Sequence, residues 1–231
     1  MNNFTHLHVH TQFSLLDGAA KIPDLVSYAK ELGMTSLAIT DHGVMYGAVD
    51  FYQECKKQGI KPILGCEVYV TTGSHLERNN RGLFHLILLA ENLEGYHNIM
   101  KMVSLSQLEG FYYKPRVDKD ILRAHSKGVI CLSACIAGEL PVLIQQGNMD
   151  GARRCLEEHI EIFGKENYFL EIQNHDLPEE HKANRGLKQL AKEYGLGLVA
   201  TNDLHYVRRA VGERRRAVVD SLAANDLRRR G

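Results

Sequence analysis

A closed barrel of alternating β-strands and α-helices is the fold this 231-residue sequence predicts. Three observations point to it. Seven short apolar runs of strand character alternate with stretches of helical periodicity, which implies a parallel sheet. No antiparallel pair of runs is apparent, and neither a Gly-x-Gly-x-x-Gly turn after the first run nor a Walker-type loop suggests an open nucleotide-binding sheet. Side chains able to bind metals recur mostly at the C-terminal ends of the runs, the face of a β/α barrel that carries chemistry.

The elements follow in order. The first strand spans 4–10 and ends in His-Leu-His-Val-His. A helix over 22–32 starts at Pro23-Asp24 and stops at Gly33. A strand over 36–41, a helix over 45–58 and a strand over 61–70 come next, followed by a polar loop from Thr71 to Arg81 that reads as a mobile excursion. The apolar run 84–90 is a strand, 93–107 a helix and 128–133 a strand, while 137–164 is long enough for two helices. After a strand over 167–173, Pro178, Glu179 and Glu180 open a helix, because a first-turn proline and acids suit its dipole. Gly195 ends that helix before a last strand over 197–202.

Composition narrows the class. Apolar content of 44% supplies one core, and no apolar run is long enough to cross a bilayer. The N-terminus lacks the basic and apolar regions of a signal peptide. Five scattered cysteines without a Cys-x-x-Cys pair predict reduced thiols and a cytoplasmic location, with Cys55, Cys66, Cys131 and Cys155 as core residues. Formal net charge is zero, but residues 207–231 hold eight Arg against three acids, leaving 20 basic and 25 acidic groups elsewhere. The chain therefore divides into a barrel over 1–207 and an Arg-rich tail over 208–231.

Nine residues form the candidate metal set: His8, His10, Asp17, His42, Glu67, His85, Cys135, Asp203 and His205. Imidazole, carboxylate and thiolate suit zinc and its first-row neighbours. Nine ligands exceed one ion and match two or three sharing a bridging carboxylate, a type of centre that hydrolyses phosphate esters. A lone His-x-His is weak, since period 2 puts both rings on one face of any strand. The strength lies in the constellation, whose members come from seven separate places along the alternating chain. Glu67, inside its strand, and His85, at the start of its run, fit least well. His6 reads as a spectator, and His97, His125, His159 and His181 as solvated. Arg116, with Lys114, is the candidate contact to a substrate phosphate. His175, just after the sixth strand, is the candidate lining residue that does not bind metal.

His8-x-His10 with Ser14 and Asp17-Gly18, Thr40-Asp41-His42-Gly43, Gly65-Cys66-Glu67, Phe84-His85, Cys135 and Asp203-x-His205 resemble the polymerase-and-histidinol-phosphatase (PHP) family. The linking text, including THLHVHTQFSLLDGAAKI, EGFYYKPRVD, FLEIQNH and VATNDLHYV, is similar to the branch at the N-terminus of bacterial replicative DNA polymerase III alpha subunits. The resemblance covers about residues 4–207. It implies a distorted seven-stranded barrel with a trinuclear metal centre; two to three ions of zinc, manganese or iron are expected. By that resemblance His8, His10, Glu67 and Asp203 hold one ion, Glu67, His85 and Cys135 a second, and Asp17, His42 and His205 a third. It further implies 3′→5′ exonuclease proofreading on a DNA 3′ end, with Asp17, Glu67 and Asp203 catalytic through their ions. The partners implied are a polymerase body and other replisome subunits.

Two alternatives stand beside this reading: a structural metal module without turnover, and a free-standing phosphatase for a small phosphomonoester such as histidinol phosphate. The tail departs from the family. It reads as a truncated or shifted product of a longer gene, or as a basic helix for DNA phosphates. The palm carboxylates of a polymerase are missing from this sequence, so it is not expected to polymerise DNA.

Overall fold

Elements run in the order α1 (Ile22–Glu31), β1 (Ser36–Ile39), α2 (Ala48–Gln58), β2 (Lys61–Thr71), β3 (Leu83–Ala90), α3 (Leu93–Leu108), β4 (Arg116–Val117), α4 (Lys119–Ala124), β5 (Val129–Leu132), α5 (Glu139–Gln145), α6 (Met149–Phe163), β6 (Tyr168–Ile172), α7 (Pro178–Tyr194) and β7 (Leu198–Ala200). They come from a computed structural model that describes residues 4–80 and 82–208. The Arg-rich tail beyond Arg208 lies outside the described residues.

The sheet order is β1-β2-β3-β5-β6-β7, with the short β4 beside β2. The expectation of a wholly parallel sheet is corrected, because β3 runs antiparallel to both β2 and β5. The physical reason is the connection: the described residues between β2 and β3 hold no helix, so the chain returns beside β2 as a hairpin rather than crossing over. The expected first strand forms no regular ladder but still closes the ring. Ala38 N donates to His6 O at 3.0 Å and Thr40 N to Val9 O at 2.8 Å on one side. On the other, His10 N donates to Leu204 O at 2.7 Å and Leu204 N to His8 O at 3.0 Å.

The helices form where their end signals lie. Proline opens α1 and α7, and Asp24, Glu179 and Glu180 occupy their first turns. Asn92 and Asn148 cap α3 and α6 by accepting from Gly95 N and Gly151 N at 3.0 and 2.9 Å. Gly147, at φ 77°, breaks the stretch expected to hold two helices into α5 and α6.

Apolar faces bury on both sides of the sheet. Leu88, Ile99, Met102, Leu122, Leu156, Leu170 and Leu190 fill the layer beneath α3 to α7. Leu25, Val26, Leu37 and Phe51 do the same beneath α1 and α2. Ala38, Ile87, Leu89, Leu132 and Ala134 form a separate small cluster. No helix among the described residues is long and apolar enough to cross a membrane.

Two histidines differ from expectation. His159 is buried rather than solvated, because its Nδ1–H donates to Cys155 O at 2.7 Å and its ring stacks on Tyr168. Burial, then the nearby Lys119 ammonium, pulls its pKa down to about 4. His75 does not lead a mobile excursion. Asp118 accepts from both its backbone N–H, at 2.9 Å, and its ring, at 2.6 Å.

Candidate metal centre

Strand register explains how the two least expected ligands reach the site. Glu67 faces Ile87 and Tyr69 faces His85 across the β2–β3 ladder, so these four side chains share one face of the pleat. That face points into the barrel, toward His8 and His10. His42 follows β1, Cys135 follows β5, and Asp203 and His205 follow β7. Two of these turns hold non-glycine residues in the left-handed region, Ala134 at φ 63° and Asp203 at φ 44°. Such conformations persist where surrounding structure holds them, and they concentrate at functional sites. Gly18 is required beside Asp17, since a Cβ there would lie 1.9 Å from Thr11 O.

The nine predicted ligands meet. His8, His10 and Asp203 form one group of converging donor atoms, Glu67, His85 and Cys135 a second, and His10, His42 and His205 a third. Asp203 Oδ1 lies 3.1 Å from His8 Nε2 and 3.2 Å from His10 Nε2. Cys135 Sγ is 3.7 Å from His85 Nδ1. Asp17 Oδ2 approaches His42 Nε2 at 3.2 Å and His205 Nε2 at 3.6 Å. Glu67 joins the groups: Oε1 is 2.6 Å from His42 and 3.0 Å from His85, while Oε2 is 2.8 Å from His8. The side chains of His8, His10 and Glu67 are fully buried, whereas that of Asp17 is 47% exposed. The cluster therefore has a sealed floor and an open mouth.

Outer residues aim the ligands. His8 Nδ1–H donates to Glu171 at 2.7 Å, and Gln173 donates to the same carboxylate at 2.8 Å. His10 Nδ1–H donates to Ser14 Oγ at 3.1 Å, and Ser14 in turn donates to Asp41 at 2.6 Å. His205 Nδ1–H donates to Asp203 O at 2.9 Å. In each ring the Nε2 lone pair is left to face the cluster, the arrangement that metal-bound imidazoles use. Asp41 belongs to the Thr40-Asp41-His42-Gly43 motif, whereas Glu171 is not among the candidates the sequence offers. A glutamate at the third position of the apolar run Phe-Leu-Glu-Ile was the available signal, since only a buried partner justifies it there. Replacing Glu171 by Gln is expected to keep the fold and weaken metal retention about 10–100-fold, measured by competition with a chelator.

The donor set fits divalent cations. Both ring nitrogens of His8 and of His42 face carboxylates, so a neutral ring would point a lone pair at an anion. A proton or a metal must fill that place. In the metal-free centre it is a proton. Burial opposes charge on His42, but Asp17 and Glu67 outweigh it and raise its pKa to about 10. His8 is likewise raised, against burial, by Glu171 and Asp203. Burial also opposes charge on Asp203, yet His8 and His10 hold its carboxyl at about 2. Asp17 Oδ1 and Asp203 Oδ1 are buried and accept no aligned hydrogen bond, as expected of oxygens kept for cations.

Arg116 requires a correction. It is fully buried, and its guanidinium donates to the carbonyls of Gly110, Asn80, His75 and Glu77 at 2.7–3.1 Å. Four of its five N–H donors are taken, and the side chain is too buried to reach a phosphate at the mouth. Its neighbour Lys114 stays at the mouth, with Nζ 5.2 Å from the centre of the Tyr69 ring. Arg116→Ala is expected to destabilise the fold by about 3 kcal/mol, the scale of several buried carbonyls losing donors. Urea denaturation would measure it. His175 is held by Glu180 and by Asn202 O at 3.0 Å, near Asp203 but outside the three ligand groups.

Comparisons with known proteins give the family and the fold of the chain. A sequence profile described as "PHP domain" matches residues 6–175. The chain is 51% identical over 213 residues to the DNA polymerase III subunit alpha of Thermus aquaticus, covering 89% of this chain and 17% of that protein. It is 48% identical over 208 residues to the subunit of the same name from Treponema pallidum, covering 88% and 18%. The chain thus spans about a sixth of the length of these relatives. Among solved structures, an amidohydrolase from Chromobacterium violaceum with bound sulfate and no metal shares the fold, with a TM-score of 0.53, 16% identity and 87% coverage of each chain.

Proposed function

Because the chain belongs to the PHP domain family, we propose that it is a metal-dependent phosphodiester hydrolase that removes nucleotides from a DNA 3′ end, the proofreading activity of a replicative polymerase. The observation that carries this reading is Glu67, whose two oxygens link the three ligand groups as a bridging carboxylate would. Two to three ions of zinc, manganese or iron would be held by the nine residues, with Cys135 favouring zinc at its group because thiolate is a soft ligand. Bound there, such ions supply Lewis-acid polarisation of a phosphoryl oxygen and lower the pKa of water.

The chain's own residues set the geometry. Glu171 and Ser14 fix the tautomers and tilt of His8 and His10 on the floor. Burial of that floor excludes bulk water from one side, so substrate approaches past Asp17, His42 and His85. Asp17, Glu67 and Asp203 act through the ions they would hold. The protein works in the cytoplasm, against the polymerase body and replisome subunits of a longer polymerase; the matched relatives are DNA polymerase III alpha subunits. That similarity favours this reading over a free-standing phosphomonoesterase.

The test is digestion of 5′-labelled single-stranded oligonucleotides by the metal-reconstituted chain, beside histidinol phosphate. A ladder shortening from the 3′ end, with slow phosphomonoester turnover, is expected. Faster turnover of histidinol phosphate would reverse the assignment. Elemental analysis should find two to three metal equivalents per chain. A fully folded protein that binds none would sink the reading.

A further inference from the structure

A cleft of 450 Å³ opens at the mouth of the centre, where Asp17, His42 and His85 form part of its lining. This volume suits one small ligand unit. Much of the remaining lining is aromatic. Tyr46, Phe111 and Tyr113 are 66%, 48% and 63% exposed, and Tyr113 packs edge-to-face with Tyr112 at 4.7 Å between ring centroids.

The loop bearing two of these rings is built and braced. Arg116 donates to Gly110 O, Arg78 donates to Phe111 O, and Tyr112 N donates to Lys114 O at 3.0 Å. At its tip Tyr113 sits at φ 62°, a strained conformation for a bulky residue. Strain of this kind, held by a buried arginine, keeps a ring displayed at the surface. Lys114 completes the cleft: its ammonium lies over Tyr69, whose ring is 5.3 Å from His85 and 6.2 Å from His42. The cation is thus one ring away from the metal ligands.

We propose that this cleft is a base-stacking subsite: Tyr46, Phe111 and Tyr113 receive unpaired nucleobases of single-stranded nucleic acid while Lys114 takes a neighbouring backbone phosphate. The inference rests on the hydrolase reading and deepens it by naming what the site recognises. Every base has a π-face, so exposed aromatic rings beside a cation grip a single strand without reading its sequence. A paired duplex buries those faces and is excluded.

The experiment measures binding, not turnover. The probes are a phosphorothioate oligothymidylate and an abasic oligonucleotide of equal length and charge, titrated by fluorescence anisotropy against the full chain loaded with manganese. The wild type is expected to bind the thymidylate about 10-fold more tightly than the abasic strand. The Phe111→Ala/Tyr113→Ala double variant should lose that preference while keeping its metal content and melting temperature. Phe111→Trp should retain it. Lys114→Ala should weaken both strands alike, with a shallower salt dependence. Equal wild-type binding of the two probes overturns the subsite, as does a double variant that still discriminates or that loses metal together with preference. If the wild type discriminates but never shortens DNA, the subsite stands and the hydrolase reading falls. If DNA is shortened and binding ignores the bases, the reverse holds.

Discussion

Asp203→Asn is expected to cut hydrolysis at a DNA 3′ end by about 10³-fold or more, the scale on which a concerted constellation fails when one member is lost. Asp203 Oδ1 stands between His8 and His10, and the amide that replaces it binds cations far more weakly. The fold should survive, because asparagine tolerates the left-handed backbone this position requires. Asp17→Asn should have a similar effect through a different ion, since Asp17 pairs with His42 and His205 at the mouth. Time courses on end-labelled oligonucleotides, beside circular dichroism of each variant, provide the measurement. Equal rates for wild type and both variants would place any nuclease activity outside this centre. A wild type that holds its metals and cleaves no DNA would make the centre a structural module.

Removing the metals should lower the melting temperature by about 10 °C. A ligand at about 1,000 times its Kd stabilises by about 4 kcal/mol, and each kcal/mol shifts a domain of this size by about 2–4 °C. The pH dependence separates the two states. In the chelated protein, protons on the histidines replace the cations. His42 has a folded pKa of about 10, above the ordinary value of 6.5, so its contribution is complete below pH 6.5 and disappears as pH rises toward 10. The chelated protein should therefore melt higher at pH 6 than at pH 9. The loaded protein should run the other way at the acid end, releasing metal as protons compete for imidazole. Thermal melts at both pH values, with and without chelator, decide this. Identical curves after complete metal removal would contradict it.

Much of the centre was legible because metal ligation constrains residue type more tightly than packing does. All nine candidate ligands could be named from their motifs, and the structure brings their side chains to one site. The helices other than α4 were legible within a few residues, since proline, first-turn acids and terminal glycines act locally; the six-residue α4, capped by Asp118, is too short to show a helical period and was not expected. Strand direction was not. An apolar run such as Leu83–Ala90 looks the same whether its neighbour is parallel or antiparallel, and only the short connection before it forces the hairpin.

The sequence by itself determined the candidate donor set: imidazole, carboxylate and thiol recurring along an alternating chain. Tertiary structure alone decided which charged residues reach the centre. Arg116 and Lys114 are two positions apart and read alike on paper, yet one is buried against four carbonyls and the other faces the cleft. Glu171 lies within the strand expected over 167–173, and only folding sets it against His8 across 163 positions. The reason is physical. A side chain's type is local, but its burial and partners depend on strand register and on loops that meet only when the barrel closes.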